Sequence, residues 1–484
     1  LLWVIDDVND IEQIATAFNS ILTEISSTTT SFASPGYAVN TRTGLENEDV
    51  IYIPVFDKHL APRWNGNLKK FAISKDADGS NSSIVGKNGK VAVSELGVFN
   101  DEAIDLYSAS TTADGSDVSK GGLASLINPN TRKAWSNIAC SSGDCGHDTS
   151  GNQLMPDNDT LLGLDLGLSR ASFKTDQLFK EKQKALINFI RGRTEYKTNK
   201  YDLHPRMGDM LHSEPAIVTY DKNYKDDASV DEDYNKQVIF VGTNEGYLHA
   251  FDTVSGKELF AFMPSSLLKN IDVQYQNVGT GNHAYGIDGN ITSWVNDVNK
   301  DGVISAEAGD HVYLYFGLRR GGREYYALNV TDPENPQLLW QLDSNTSNFE
   351  NLGQSWSTPK MAKIKTSSSS ADTLEVLVFT GGYDENQDIQ DIAQRADEDS
   401  MGNDVFIVDA SNGDHIWSLQ GGSIDSAPLS NAGQLTHSVP GGARLLDMNQ
   451  DGAIDRLYFA DTSGLVWRLE LPTGPDYRMS EAKL

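Results

Sequence analysis

The chain has 484 residues, of which 39 are basic and 68 acidic, so its formal net charge at neutral pH is −29. This excess of carboxylates argues against a protein that binds a nucleic-acid backbone, because such proteins carry a basic stripe. The length predicts two to four domains of roughly 150 residues or one large β architecture. The sequence contains no apolar run of about 18 residues, so no helix is predicted to span a membrane.

The first predicted element is a helix that begins after Asn9 and ends near Ile25. Apolar residues recur there at helical spacing, and Glu12 follows the Asn9 cap by three residues, which is a capping-box arrangement. We interpret residues 1–35 as a helical remnant or linker of an upstream domain. The chain opens on Leu1 rather than Met, so we expect a fragment or a processed form.

Two cysteines follow, Cys140 and Cys145, in a loop rich in Ser, Gly and Asp. This spacing favours a small disulfide formed in an oxidising compartment. Free thiols remain an alternative. A metal site that also uses His147 is another, although three ligands at this spacing match no common zinc pattern.

A second helix is predicted from about Thr175 to Arg191, with Gly192 as its stop signal. Its apolar residues recur at helical spacing and predict one buried side. That side is predicted to contain Leu178, Phe179, Leu186, Phe189 and Ile190.

Most of the remaining chain is predicted to form short strands, because apolar runs alternate with Gly, Asn and Asp turns. Examples are Gln237–Gly242, Val312–Gly317, Leu374–Gly381 and Arg456–Ala460. Each run leads to a second strand and a polar turn. This unit recurs at intervals longer than the roughly 40–50 residues of common propeller repeats, so each interval holds more than one sheet or a long insertion. The fold class is therefore predicted to be all-β, an irregular seven-bladed β-propeller over residues 36–484, with stacked β-sandwiches as the alternative.

Polar segments rich in Asp, Gly, Ser and Asn interrupt the strands. We predict loop insertions at residues 75–89, 108–122, 139–200 and 384–402. Loops of this kind carry function on a rigid scaffold. In the last of them, Asp384–Asp388 lacks the glycine of a calcium loop, and we predict an acidic, solvated loop there.

The strongest motif is the segment Asp447–Asp455, which has oxygen-bearing side chains at positions 1, 3, 5 and 9 and a glycine at position 6. Carboxylate, amide and backbone carbonyl oxygens at these positions are ligands for Ca²⁺, and the glycine allows the sharp turn. Tyr458 stands where a sensor loop has its glutamate, so water or another loop completes the shell; a turn without an ion is the alternative. The predicted ligands are Asp447, Asn449, Asp451, the Ala453 carbonyl and Asp455.

A second segment repeats the same six-residue head from Asp297 to Gly302 but differs after it. Serine at position 9 ligates weakly or through water, and glutamate at position 11 can close the shell. The predicted ligands are Asp297, Asn299, Asp301, the Val303 carbonyl, Ser305 and Glu307. We expect Ca²⁺ at one or both loops to pin the loop to the blade beside it. No predicted helix flanks either loop, so groove opening of the calmodulin kind is not expected.

No catalytic motif stands out in this sequence. It contains neither a Gly-x-Ser-x-Gly elbow nor a His-Glu-x-x-His pair, which mark common hydrolases and zinc proteases. The histidines near strand ends are better explained as structural residues than as ligands. The sequence therefore predicts a protein that is not an enzyme.

Several short segments occur in a specific order that covers nearly the whole chain. They are Trp64–Leu68, Met207–Pro215, Phe240–Asp252, Phe260–Pro264, Tyr326–Pro333 and Asp447–Asp455. In this order they resemble the type IV pilus tip-associated adhesin and biogenesis family (PilC/PilY).

The resemblance implies a C-terminal β-propeller domain of a large secreted protein, preceded by a von Willebrand A-like domain whose last helix is the one predicted near the N-terminus. It implies a regulatory calcium site at Asp447–Asp455, whereas the Asp297 loop follows the family pattern only through Gly302. It further implies roles in pilus assembly, retraction, twitching motility and adhesion. The implied partners are minor pilins at the pilus tip and host-cell or abiotic surfaces. The implied location is the cell surface at the pilus tip, reached by export through the periplasm.

Two other functions stay open. The patterns Ala-Phe-Asp-x-x-x-Gly and Val-Asp-x-x-x-Gly resemble repeats of quinoprotein dehydrogenase propellers, but the sequence has no adjacent Cys-Cys pair. A purely structural β-propeller interaction module is the other alternative, and it predicts no bound metal.

Overall fold

The structure, a computed structural model, is mostly β with a few short helices. The helix predicted between Asn9 and Ile25 lies outside the residues that it describes. The described residues are 31–33, 50–75, 82–94, 97–140, 145–196, 200–203, 207–221, 236–279, 282–365, 373–420, 432–471 and 480–483.

The first half of the chain forms one antiparallel sheet and a long excursion. The sheet contains β1 (Ser31–Ala33), β2 (Val50–Asp57), β3 (Asn65–Lys75) and β4 (Ser82–Val85), in that order. The excursion contains β5 (Ala134–Trp135), β6 (Cys145–Gly146), helix α1 (Asp176–Ile190), and the hairpin of β7 (Arg193–Tyr196) and β8 (Lys200–Leu203).

The second half forms four further sheets of consecutive antiparallel strands. The second sheet contains β9 (Ala216–Asp221), β10 (Lys236–Gly242), β11 (Leu248–Asp252) and β12 (Glu258–Phe262), and helix α2 (Ile271–Gln276) follows it. The third contains β13 (Ile291–Asn296), β14 (His311–Gly317), β15 (Tyr325–Asn329) and β16 (Gln337–Leu342). The fourth contains β17 (Lys360–Lys365), β18 (Thr373–Thr380), β19 (Val405–Asp409) and β20 (His415–Ser418). The fifth contains β21 (Arg444–Leu446), β22 (Arg456–Ala460), β23 (Val466–Glu470) and β24 (Ser480–Lys483).

The sheets stack face to face in chain order. Alternate side chains of a strand point to opposite faces, so one strand can pack against the sheet before it and the sheet after it. In β10, Ile239 and Val241 pack into a cluster with Leu68 of the first sheet, whereas Val238 and Phe240 pack into the cluster that contains β14 of the third. The third and fourth sheets share another core cluster, and so do the fourth and fifth. Sheets that bury both faces against neighbours are the arrangement of propeller blades.

The predicted strand positions are confirmed, and they become β10, β14, β18 and β22. Each repeat interval contains one sheet, so the extra length lies in connections such as residues 263–290 and 381–404. Five sheets of at least four strands occur within the described part of the chain. The closed ring and the number of seven blades stay predictions.

The excursion after the first sheet ties two later sheets together. Strand β5 pairs parallel with β12 at the outer edge of the second sheet, and β6 pairs antiparallel with β16 at the outer edge of the third. A disulfide joins Cys140, in the connection after β5, to Cys145, the first residue of β6, with the Cα atoms 5.7 Å apart. The predicted disulfide is therefore present in the structure.

Helix α1 begins and ends where its capping residues predict. The Thr175 hydroxyl accepts a hydrogen bond from the Leu178 backbone N–H at 3.2 Å, which caps the helix, and Gly192 follows it with φ of 85°. The predicted buried side is right except at Leu178, which is 47% exposed, while Gln183 is buried. Two hydrogen bonds from the Gln183 amide to backbone carbonyls explain why that polar residue lies inside.

A search of the described residues for membrane spans finds no helix with the length and apolar character required to cross a bilayer.

Candidate metal centre in two acidic loops

The two predicted calcium loops occupy equivalent places in the fold. The first loop in the chain connects β13 to β14 in the third sheet, and the second connects β21 to β22 in the fifth. Each therefore links the first strand of its sheet to the second, at the same end of the strands.

In the Asp447 loop, backbone N–H groups donate to the side chains at positions 1, 3 and 5. The two Asp447 carboxylate oxygens accept from the backbone of Gln450 at 2.7 Å and of Gly452 at 2.8 Å. The Asn449 amide oxygen accepts from the Asp451 N–H at 3.0 Å, and an Asp451 oxygen accepts from the Ala453 N–H at the same distance. These bonds fold the segment into a compact loop.

Two residues of this loop have left-handed backbone conformations. Gln450 has φ of 62° and Gly452 has φ of 90°. A side chain at the second of these positions is disfavoured, which explains the glycine there. Asp455 closes the loop: it is 8% exposed and accepts from the backbone N–H groups of Met448 at 2.7 Å and Asn449 at 3.2 Å.

The Asp297 loop repeats three of these backbone hydrogen bonds and has left-handed residues at the same two positions. Asp297 accepts from the Gly302 N–H at 3.0 Å, and Asn299 accepts from the Asp301 N–H at 3.0 Å. An Asp301 carboxylate oxygen accepts from the Val303 N–H at 2.8 Å. Positions 4 and 6 again have left-handed φ angles, 59° and 92°. The two heads are therefore alike in structure as well as in sequence.

The carboxylate that closes the Asp297 loop is Asp310, which was not among the predicted ligands. It is 4% exposed and accepts from the backbone N–H groups of Val298 at 2.8 Å and Ser305 at 2.9 Å. Predicted ligand Ser305 therefore contributes its backbone N–H to this contact. Predicted ligand Glu307 is exposed on the short turn Ala306–Ala308.

The sequence does indicate Asp310, but its position has to be counted back from the start of the following strand and not forward from Asp297. Asp310 directly precedes β14, as Asp455 directly precedes β22. From its first residue to its closing carboxylate, the Asp297 loop is five residues longer than the Asp447 loop. The added residues include the turn Ala306–Ala308 and Gly309, whose φ of 85° reverses the chain.

Each loop is also hydrogen-bonded to the first strand of the preceding sheet. The Ile304 N–H donates to the Tyr220 carbonyl in β9 at 2.8 Å, and the Ile454 N–H donates to the Lys363 carbonyl in β17 at 2.8 Å. The loops therefore lie between neighbouring sheets, which is the position from which a bound ion would hold one sheet to the next.

The donor set fits a hard divalent cation, since Ca²⁺ prefers carboxylate, amide and carbonyl oxygens. A carboxylate oxygen that accepts one N–H keeps a second lone pair for another partner. The side chains are not gathered as a finished cage, however: across the described ranges, no three His, Cys, Asp or Glu side chains lie close enough together to hold a metal ion. The Lys365 ammonium contacts Asp451, and the Asn299 amide donates to Asp301 at 2.9 Å.

The third acidic segment, Asp384–Asp388, is solvated at Glu385 and Asp388 as the sequence predicts, but its first carboxylate is buried. Asp384 is 5% exposed and accepts from the backbone N–H groups of Ser400 at 2.8 Å and Met401 at 3.1 Å. Asp399 is also buried and accepts from the Ser438 N–H at 2.8 Å. Two buried carboxylates therefore fold this insertion onto the protein.

The buried histidine His249 contacts a carboxylate inside the fold. His249 lies 2.8 Å from Glu258, and Arg132 donates two hydrogen bonds to the same carboxylate at 2.9 Å. Burial alone raises the pKa of Glu258, but Arg132 and His249 together hold that pKa below its usual range. The sequence gives no local sign of this trio, because Arg132 and Glu258 are distant in the chain.

Comparisons with known proteins place these loops in a family context. A family model described as the PilY1 beta-propeller domain matches residues 214–481, more than half of the chain. The type IV pilus biogenesis factor PilY1 of Pseudomonas aeruginosa strain UCBPP-PA14 is 26% identical over 481 residues, which are 95% of this chain and 34% of that protein.

Two further proteins are similar over part of the chain. A PilY1 homolog described as a type IV pilus biogenesis factor from Xylella fastidiosa is 28% identical, covering 58% of this chain and 21% of that protein. The crystal structure of the Pseudomonas aeruginosa PilY1 C-terminal domain matches 48% of this chain and 38% of that one, at 27% identity and a TM-score of 0.32. The chain spans about a third or less of the length of these curated relatives.

Proposed function

Since this chain belongs to the family of PilY1 β-propeller domains, we propose that it is a calcium-binding, non-enzymatic part of a type IV pilus biogenesis factor. It acts at the pilus tip on the cell surface, where it contacts minor pilins and adheres to host-cell or abiotic surfaces. Calcium at its loops modulates pilus assembly and retraction and, through them, twitching motility. Export through the periplasm is supported by the disulfide between Cys140 and Cys145, since such bonds persist in oxidising compartments.

The observation that carries the calcium proposal is the similar structure of the two loop heads together with their position between sheets. In the second loop along the chain, Asp447, Asn449, Asp451 and Asp455 would hold the ion with the Ala453 carbonyl. In the first loop, the ion would be held by Asp297, Asn299, Asp301, the Val303 carbonyl and Ser305, with Asp310 as the closing carboxylate.

Calcium supplies positive charge that relieves the repulsion between neighbouring carboxylates. The chain already supplies some of that charge, since Lys365 contacts Asp451. Because Lys365 lies in β17 and Asp451 in the loop of the next sheet, the same two sheets are joined by this contact and by the Ile454 backbone bond. Binding at this loop therefore acts on the seam between sheets.

Bound-metal analysis of the purified chain tests this proposal. We expect two Ca²⁺ per chain, one in each of the variants Asp451→Ala and Asp301→Ala, and none in the double variant. Asp397→Ala is the matched control, because Asp397 is an exposed aspartate outside both loops. Two ions in the double variant, or none in the unmodified chain at millimolar Ca²⁺, would contradict the assignment of these loops.

The role in the pilus is tested separately in cells. Replacing the chromosomal copy with the Asp451→Ala variant should change surface piliation and twitching motility, while Asp397→Ala should leave both unchanged. Unchanged motility in a variant that has lost its calcium would separate metal binding from pilus function.

A further inference from the structure

At the end of the strands opposite the acidic loops, the turn between β14 and β15 contains Arg319, Arg320 and Arg323. Beside this turn lie Trp356 and Tyr383, whose rings stack with centroids 4.4 Å apart. The guanidinium carbons of Arg319 and Arg320 lie 4.2 Å and 5.0 Å from the Trp356 ring centroid. Arg, Trp and Tyr dominate binding energies at protein interfaces. We call these five residues the arginine platform.

The insertion that follows β18 places two of its own carboxylates on this platform. Asp388 accepts hydrogen bonds from Arg320 at 2.8 Å and 3.0 Å and a third from the Tyr383 hydroxyl at 2.8 Å. Glu385 accepts from Arg323 at 3.3 Å. A bidentate guanidinium–carboxylate pair is the geometry by which arginine recognises a carboxylate ligand. The chain itself therefore shows which chemistry the platform binds.

These contacts differ from the pair that this protein uses for structure. Arg132 and Glu258 have side chains 0% and 2% exposed, and breaking such a buried pair is strongly destabilising. The side chains of Arg320 and Asp388 are 28% and 43% exposed, and exposed pairs contribute little to stability. The contact between the insertion and the platform is therefore easily exchanged for another.

The insertion does not depend on the platform for its own fold. Asp384 accepts backbone N–H groups from Ser400 and Met401, and Asp399 accepts the Ser438 N–H. When the turn Glu385–Asp388 leaves the platform, the bonds of Asn386 and Gln387 to Asp399 break. The backbone hydrogen bonds that hold the two anchors stay in place.

We propose that the arginine platform docks an acidic segment of a partner protein, one with two carboxylates three residues apart. The turn that contains Glu385 and Asp388 has this spacing and covers the platform until the partner segment displaces it. This site is independent of the calcium loops, which lie at the other end of the strands.

A labelled acidic peptide tests the proposal. The probe is a synthetic peptide with the sequence of residues 384–391, and its binding to the purified chain is measured by fluorescence anisotropy at low ionic strength. The variant Glu385→Gln/Asp388→Asn removes the internal competitor without changing its size, and it should bind the peptide about tenfold more tightly than the unmodified chain. High salt should weaken this binding.

Two further variants make the result specific. Asp397→Asn/Glu398→Gln makes the same charge change at exposed positions of the same insertion and should bind like the unmodified chain. Adding Arg320→Gln/Arg323→Gln to the first variant should abolish binding. Absence of binding by the first variant, or equal binding after the arginines are removed, overturns the proposal.

Hydrogen–deuterium exchange on the unmodified chain provides a second measurement that needs no substitution. Excess peptide should increase exchange in residues 385–398 while β18 and β19 stay protected. Unchanged exchange in the insertion at peptide concentrations that saturate the first variant would also overturn the proposal.

Discussion

Two kinds of acidic segment lie at opposite ends of the sheets, and their sequences look alike. In the Asp447 and Asp297 loops, glycine at position 6 turns the chain so that the head side chains accept N–H groups from within the loop. In the insertion at Asp384, Ile389 replaces that glycine, and the carboxylates reach distant backbone instead. The comparison teaches that acidic composition alone does not define a cation site. The hydrogen-bond partners of the carboxylates define such a site, and the effect of each partner on stability can be measured.

The largest expected effect concerns pH at the base of the insertion. Asp404 is 1% exposed, and burial raises its pKa to about 7 from 3.8. Between these two values the folded protein keeps a proton that the unfolded chain has lost, so the free energy of unfolding falls as pH rises through this window and is level above it.

The size of this loss is about 4 kcal/mol between pH 4 and pH 8. Asp404→Asn keeps an oxygen for the Val405 N–H and removes the titration, so it should equal the unmodified chain at pH 4 and exceed its stability at pH 8. Urea unfolding at both pH values measures the difference. Asp397→Asn should follow the unmodified chain, and a pH profile of Asp404→Asn that did too would refute the assignment.

The next effect concerns the anchor of the insertion. Asp399 accepts hydrogen bonds from Asn386, Gln387, Ser438 and Thr462. Asp399→Ala leaves these donors without their acceptor and should lower the free energy of unfolding by about 3 kcal/mol. The neighbouring exposed Asp397→Ala should change it by less than about 0.5 kcal/mol. Equal stabilities by urea unfolding would show that the insertion is held by other contacts.

A smaller loss of stability distinguishes Asp310, which closes the loop in the structure, from Glu307, which the sequence predicts. Asp310→Ala removes the acceptor for the N–H groups of Val298 and Ser305 and should cost about 2 kcal/mol, as Asp455→Ala should in the other loop. Glu307→Ala, at an exposed position, should be close to neutral. Urea denaturation without calcium measures what these hydrogen bonds contribute to the free energy of unfolding. A larger loss of stability in Glu307→Ala than in Asp310→Ala would make Glu307 the closing carboxylate.

The smallest effect concerns the loop turn. Gly452 has φ of 90° with open space around its Cα, so alanine there adds no clash and costs only its backbone preference, about 1 kcal/mol. Gly441→Ala is the matched control, because that glycine has equally open space and no positive φ. Thermal unfolding of the two variants compares them directly. Equal melting temperatures would mean that the turn tolerates other conformations.

The sequence is most informative where the signal is local. Strands such as β10 and β14 follow from apolar runs between turn residues, and helix α1 follows from Thr175 and Gly192. The loop heads follow from six consecutive residues. These elements were predictable because their hydrogen bonds connect neighbours in the chain.

The rest depends on contacts between distant segments. Asp310 was missed because five extra residues shift it from position 9 of the loop, and the burial of Asp384 and Asp399 depends on backbone donors at Ser400 and Ser438. The arginine platform combines three connections from two sheets. Strands as short as β5 and β6 have no periodicity of their own, since their partners β12 and β16 define them.

Strands β5 and β6 also affect how readily the protein aggregates at high protein concentration. The outermost strand of a sheet normally offers free backbone groups to which a strand of another chain can add, and this is a route to aggregation. Strands β5 and β6 occupy part of that edge on β12 and β16. The same excursion therefore shields part of two sheet edges from strand addition by another chain. It also couples the two edges, because separation of β12 from its sheet would disturb the segment that pairs with β16.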